Sequence, residues 1–174
     1  MKIDTFEQTI SVADYLEGYV NVEEFLECCR ACGNYDRKWS CPSYDFDPVE
    51  DYWKKYDNLY IIGKKMILEE DEKENWETLM KQVKQQLTEE LYAEEAKRPG
   101  SVSLSAGSCN ICGEDNCSKK TGTPCRYPDK MRYSIEALGG NVGLTASRLL
   151  GIQLQWITEG QVPDYFVLVG GLLF

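Results

Sequence analysis

The stretch Cys109-Asn-Ile-Cys112-Gly-Glu-Asp-Asn-Cys117, which closes at Cys125, decides how the rest of the chain is interpreted. Its four thiols follow the spacing C-x2-C-x4-C-x7-C. Glycines and a proline lie between them, and these residues let a backbone turn tightly. Four sulfurs on one short, bendable loop suit a metal ion or an iron–sulfur cluster. We therefore expect a metal centre here.

The other four of the eight cysteines form a first group upstream, Cys28, Cys29, Cys32 and Cys41. Cys29 supplies the usual C-x2-C step, and we predict that Cys29, Cys32 and Cys41 ligate a second centre. Cys28 points in a different direction from its neighbour and is a ligand only if it turns inward. Three thiolates on a 4Fe–4S cluster leave one iron open to a small ligand, whereas four saturate it. The first group is therefore the better place for reactivity.

The identity of the metal stays open between two choices. The uneven spacing around glycines favours a 4Fe–4S cluster, whose ligands stand farther apart than those of one ion, although it differs from the bacterial ferredoxin run. Zinc is the alternative, but a zinc ribbon needs two C-x2-C knuckles and this loop supplies one. A mixed zinc site built from the two C-x2-C pairs also fits the sequence. The chain has no histidine, which excludes imidazole-dependent catalysis, Rieske centres and zinc sites with two cysteine and two histidine ligands.

Amino-acid composition limits the kinds of binding partner and the cellular compartment that we expect for this protein. Acidic residues outnumber basic ones 29 to 19, for a net charge of −10. No run of Lys or Arg indicates nucleic-acid binding, while an acidic surface could favour a basic redox partner. The start of the chain lacks a secretory signal pattern, and no apolar run approaches the ~20 residues of a membrane span. We expect a cytoplasmic protein whose cysteines bind metal or do redox work, not structural disulfides.

Alternating and continuous apolar patterns predict the strands. They are expected within residues 1–12 and at 59–68, 102–106, 152–157 and 165–174. The strand at 59–68 begins with a near-continuous apolar run, which indicates burial on both faces. A turn is predicted at 159–161.

Apolar residues at helical spacing predict the helices. These are one or two turns from Val12, a helix from Val22 to Cys28 or Cys29, a helix capped by Asp47, the longest helix at 71–97, one that buries Met131, Ile135 and Leu138, and one at 142–150. Together the elements indicate an α+β or α/β fold. We expect one metal-binding domain over 1–174, a mixed sheet of four or five strands with packed helices, and both cysteine loops at one edge.

Three motifs carry a resemblance to a known family. They are Cys29-x2-Cys32-x2-Tyr35-x3-Trp39-Ser40-Cys41-Pro42, then Cys109-x2-Cys112-x4-Cys117 with Pro124-Cys125-Arg126-x-Pro128, and Arg132-Tyr133-Ser134-x-Glu136-Ala137-x-Gly139. With them the chain resembles a bacterial and archaeal family of predicted metal-binding proteins, domain of unknown function two-two-eight-four. The resemblance covers most of the chain and implies metal binding through the cysteines, without implying a reaction.

The chain departs from that family's pattern in two places. The family usually has Cys-Pro-Pro in the first group and Cys-Arg-His-Pro in the second. This chain has Ser43 after Pro42, and Tyr127 where the histidine would stand. Any role of that histidine is therefore absent here or taken by Tyr127.

These observations support two competing functions. The first is an iron–sulfur protein, with one or two 4Fe–4S clusters, that acts in electron transfer or small-ligand redox chemistry with a redox partner protein. The second is a zinc-stabilised structural or interaction module without catalysis. A dithiol oxidoreductase is less favoured, because neither C-x-x-C clearly opens a helix.

Overall fold

The computed structural model describes all residues from 1 to 174. Four strands form one antiparallel sheet in the order β1-β2-β4-β3. The strands are β1 (Lys2–Ser11), β2 (Asn58–Ile67), β3 (Val102–Leu104) and β4 (Tyr165–Leu173). The helices are α1 (Val12–Tyr19), α2 (Val22–Arg30), α3 (Trp76–Lys97) and α4 (Val142–Leu149), with short turns of 3-10 or π helix at 48–52, 53–55, 70–75, 118–121 and 136–138. The α+β class is confirmed, and the sheet is purely antiparallel.

Both faces of the sheet are covered, as the apolar run of β2 predicts. On one face, Ile62 packs with Leu87 and Leu91 of α3. On the other, Leu59 and Ile61 join the main core under α1, α4 and the segment that carries Trp53. The sheet is therefore the middle layer between α3 and a second group of helices.

Glycine lets α3 approach the sheet closely. A Cβ on Gly170 of β4 would come within 2.8 Å of a Leu91 methyl and 2.9 Å of the Leu104 carbonyl oxygen. Any larger residue there would push the helix away or disturb the strand pair. This close packing fixes α3 next to β3, the strand that leads into the second cysteine group.

Two predicted elements are wrong. Residues 152–157 form no strand: Ile152 is buried, but Trp156 is 74% exposed. The helix predicted to bury Met131, Ile135 and Leu138 is only a 3-10 turn at Glu136–Leu138. Instead, Ser105 pairs with Ser134, and the Ser105 N–H donates to the Tyr133 carbonyl at 2.9 Å. The backbone of this segment therefore extends the end of β3.

The remaining local predictions hold. β1 occupies the N-terminal stretch, and 70–97 is helical throughout as a 3-10 turn followed by α3. Asp47 accepts hydrogen bonds from the N–H groups of Val49 and Glu50 and so caps the turn that begins at Pro48. Trp53 is fully buried, which confirms a core position for an aromatic residue of this segment.

Candidate metal centres

The four thiols of the second cysteine group line one cavity. Its walls include Cys109, Cys112, Cys117 and Cys125, and its volume is about 20 Å³. β3 ends at Leu104 and delivers the chain to this loop from the sheet edge. Neither Cys29 nor Cys32 lines the cavity. The loop thus brings its own four cysteines to the lining of one cavity.

Left-handed glycines give the second loop its shape. Gly113 has φ of 88° and donates its N–H to the Asn110 carbonyl at 2.9 Å. Gly122 has φ of 67° and closes the 3-10 turn at 118–121 by donating to Lys119. Residues with a Cβ rarely adopt this conformation, so the glycines permit the turns between the thiols.

The first cysteine group begins on the last turn of α2, as predicted. Cys28 is exposed, Cys29 is half-buried, Cys32 is exposed and Cys41 is buried. The pKa of the Cys29 thiol is raised to about 11. Burial is the largest cause, and the nearby thiols of Cys41 and Cys32 raise it further. Cys28 faces more solvent than Cys29, as expected if Cys29 is the inward member of the adjacent pair.

The two cysteine groups interlock, a feature that the sequence does not reveal. Trp39 of the first loop donates from Nε1 to Ser118 Oγ at 3.3 Å and to the Thr123 carbonyl at 3.2 Å. The Cys109 N–H donates to Ser40 Oγ at 3.0 Å, and that same oxygen lies 3.8 Å from the Cys41 sulfur. Ser40 therefore links the two groups directly.

Two lysines lie beside the second group without a carboxylate partner. Lys38 is 4% exposed and donates to Ser108 Oγ at 3.2 Å and Asn110 Oδ1 at 2.7 Å. Lys84 of α3 donates to the Ser108 carbonyl at 2.6 Å. Burial, and then the charge of Lys38, lower the pKa of Lys84. Neither lysine forms a salt bridge, and the carboxylate of Glu136 acts on Lys84 from beyond salt-bridge distance.

Glu136 is a third ionisable group in this region, half-buried as a residue. Its Oε2 is the one buried side-chain nitrogen or oxygen that has no hydrogen-bond partner. Burial raises the pKa of its carboxyl. The positive charge of Lys84 acts in the opposite direction, so Glu136 and Lys84 interact electrostatically.

The arginines near the second group have structural partners. Arg132 donates from Nε to Glu95 Oε2 at 3.0 Å, and the two groups form a salt bridge. Arg126 donates to the Asn116 carbonyl at 3.0 Å. Glu95 also accepts from the Ser103 N–H and hydroxyl at 2.7 and 2.6 Å. This network fastens α3 to β3 beside the second cysteine loop.

The donor set fits a thiophilic metal group, although the side chains do not yet surround one. All eight cysteines are free thiols. No group of three or more His, Cys, Asp or Glu side chains stands in an arrangement that could hold a metal ion. Binding therefore requires the thiols to turn toward a common centre. Soft thiolate ligands select iron–sulfur clusters, zinc or Cu(I).

Comparison with known proteins supports a metal-binding role in general terms. A family model described as "Predicted metal-binding protein (DUF2284)" matches residues 17–174. No curated protein and no solved structure matches the chain. No helix has the length and apolar character needed to cross a membrane. The matched region contains all eight cysteines, and the chain belongs to this family of predicted metal-binding proteins.

Proposed function

We propose that the chain is an iron–sulfur protein with two thiolate centres that acts in electron transfer or small-ligand redox chemistry. The second cysteine group would hold one cluster through Cys109, Cys112, Cys117 and Cys125. The first group would hold the other cluster through Cys29, Cys32 and Cys41. When bound, such clusters would supply one-electron transfer at both sites and an exchangeable iron position at the three-cysteine site.

The observation that supports an anionic thiolate centre is the pair of lysines beside the four-thiol cavity. A buried ammonium without a counter-ion costs several kcal/mol. The buried Lys38 and the half-buried Lys84 converge on Ser108, next to Cys109, and neither forms a salt bridge. Four thiolates around a 4Fe–4S core of charge +2 leave about −2, which would balance two lysines. Their burial is thus explained by an anionic centre at Cys109–Cys125.

The contacts between the loops suit a two-centre electron carrier. Ser40 contacts both Cys41 and the backbone of Cys109, so it would hold the two thiolate sets at a fixed separation. Lys119 also joins them, by donating to the Cys41 carbonyl at 3.2 Å. A fixed, short separation favours electron exchange between the centres and with a redox partner protein. A reducing cytoplasm would keep the thiols available as ligands.

A second candidate function rests on the size of the cavity. A volume of about 20 Å³ is close to the space that one water molecule needs, and it favours a single ion over a cuboidal cluster. In that case zinc would pin the interlocked loops, and the chain would be a structural or interaction module without catalysis. Lys38 and Lys84 would balance the negative charge of a zinc ion held by four thiolates equally well.

Metal analysis of anaerobically purified protein separates the two candidates. We expect brown protein with about eight irons and about eight sulfides per chain, and about four of each in Cys125→Ser and in Cys41→Ser. The two variants retain different clusters, so their electron paramagnetic resonance spectra after reduction should differ. Colourless protein with stoichiometric zinc, and no iron in any variant, would exclude the iron–sulfur function.

A further inference from the structure

One wall of the four-thiol cavity is built by the first cysteine loop, residues 29–43. Lys38, Trp39 and Ser40 line this cavity together with the thiols of the second group. These three residues come immediately before Cys41, a thiol of the first group. The first loop therefore completes the second site, although none of its own thiols lines that cavity.

Lys119 makes the reciprocal contact, from the second cysteine loop (residues 109–125) to the first. Its side chain is only 11% exposed. Its ammonium group donates to the carbonyl oxygens of Cys41 and Ser43 at 3.2 Å each, and it forms a salt bridge with Asp36 at 3.1 Å. The second loop thus holds the backbone of the first loop at Cys41, so each loop supports the site of the other.

Ser40 gives the most direct connection between a thiol of one group and the backbone of the other. Its Oγ is buried and accepts a hydrogen bond from the Cys109 N–H at 3.0 Å. The hydroxyl proton is then available to the Cys41 sulfur, which lies 3.8 Å away. A thiolate at Cys41 can only accept, so Ser40 would be the donor. A ligating Cys41 would therefore strengthen a chain of hydrogen bonds that ends on the Cys109 backbone.

Metal ligation at either group changes the shape of its loop, because neither set of thiols already stands around a common centre. The two loops share buried contacts, so a loop that is fixed by its metal also fixes groups that belong to the other site. Hydrogen bonds to a charged acceptor are roughly twice as strong as those between neutral groups. Ser40 is thus held more firmly when Cys41 is a thiolate ligand.

We propose that the two centres are energetically coupled, so that ligation at Cys29, Cys32 and Cys41 stabilises the second site, and the reverse. Trp39, Ser40 and Lys119 carry this coupling. Such an effect is necessarily reciprocal in binding free energy. The inference rests on the proposed function in that both cysteine groups bind metal, but it holds equally for iron–sulfur clusters and for zinc.

Hydrogen–deuterium exchange of the anaerobically purified, metal-loaded protein tests the coupling at each loop separately. Cys32→Ser removes a ligand of the first group, and we expect amides of the second loop, 109–125, to exchange about tenfold faster. Cys28→Ser is the matched control, because Cys28 is an exposed thiol of the same group and is not a predicted ligand. It should leave exchange in the second loop unchanged. Conversely, Cys112→Ser should speed exchange in the first loop.

Two further variants remove contacts between the loops without removing a thiol. Ser40→Ala deletes the shared hydroxyl, and Trp39→Phe deletes the Nε1 donor while keeping an aromatic ring. Each should speed metal loss to a chelator about tenfold, as for one lost buried hydrogen bond. Ser43→Ala should not, because that hydroxyl donates to Asp36 within the first loop. Circular dichroism identifies variants that fail to fold, and two variants at different contacts keep the test decisive.

Equal exchange of the second loop in Cys32→Ser and Cys28→Ser would overturn the proposal. Native rates of metal loss in both Ser40→Ala and Trp39→Phe would overturn it as well. Iron, sulfide and zinc are measured on the same samples. Coupled loops in zinc-containing protein would support the inference and reject the iron–sulfur function, whereas iron-loaded protein with independent loops would do the reverse.

Discussion

Replacing Lys84 by methionine should lower the reduction potential of the cluster at Cys109–Cys125. Lys84→Met keeps the length and apolar character of the side chain but removes its charge beside Ser108. Reduction adds a negative charge to a centre of about −2, and a nearby cation stabilises the reduced form. Removing that cation therefore disfavours reduction.

The size of the shift in reduction potential follows from Coulomb's law. Lys84 Nζ lies 2.6 Å from the carbonyl of Ser108, the residue before Cys109. At a separation of about 8 Å and an effective dielectric constant of about 20, one charge contributes about 2 kcal/mol, which corresponds to about 90 mV for one electron. Lys81 is the control: it lies one turn earlier on α3, its side chain is 60% exposed, and it forms only an exposed ion pair with Glu114 at 3.5 Å. Solvent screening should keep the shift in Lys81→Met below about 20 mV.

The assay is a redox titration followed by electron paramagnetic resonance, with melting of the metal-free proteins as a second measurement. In metal-free protein burial disfavours the charged form of the half-buried Lys84 and no salt bridge offsets this cost, so Lys84→Met should raise the melting temperature. In loaded protein the same change should speed metal loss to a chelator. Equal shifts in Lys84→Met and Lys81→Met, or a higher potential in Lys84→Met, would refute the electrostatic account.

Three further predictions concern the fold and the ligand set. Glu95→Gln should lower the free energy of unfolding at pH 7 by about 2–3 kcal/mol through lost charged hydrogen bonds, as measured by urea titration. Burial raises the pKa of the Glu95 carboxyl, but its hydrogen bonds outweigh burial and lower the pKa below 4.5. The difference in unfolding free energy between wild type and variant should therefore shrink as the pH falls below that value. A pH-independent difference would contradict this explanation. Gly170→Ala should destabilise the protein by about 1–3 kcal/mol, because the added Cβ meets α3 and β3. Gly18→Ala, with open space around it, should instead stabilise helix α1 by about 0.5–1 kcal/mol. Equal melting temperatures of the two variants would contradict the packing described. Cys28→Ser should retain full metal content while Cys29→Ser loses metal from the first group, and the opposite result would exchange their roles.

The strongest sequence patterns predicted the layers of the fold. The apolar run of β2 and the long amphipathic stripe of α3 each carry one periodicity over many residues, so local pattern and tertiary structure agree. The alternation at 152–157 is equally clear, but a strand also needs a partner. Ile152 packs in the main core, and the segment pairs with neither edge strand, β1 or β3.

The candidate sites show the same division between local and long-range information. Cysteine spacing identified which thiols share a loop, and the adjacency of Cys28 and Cys29 anticipated their different exposure. The pairing of Trp39 and Ser40 with the second loop joins residues about seventy or more positions apart, and no local pattern encodes it. The unpaired Lys84 is likewise visible only once α3 has packed beside the second loop.

Native mass spectrometry of the intact, anaerobically purified protein distinguishes iron–sulfur clusters from zinc ions, because it weighs the bound groups. We expect two mass increments of about 350 Da each, corresponding to two 4Fe–4S clusters. Increments of about 65 Da, corresponding to zinc ions, in protein that never carries iron and sulfide would contradict this expectation.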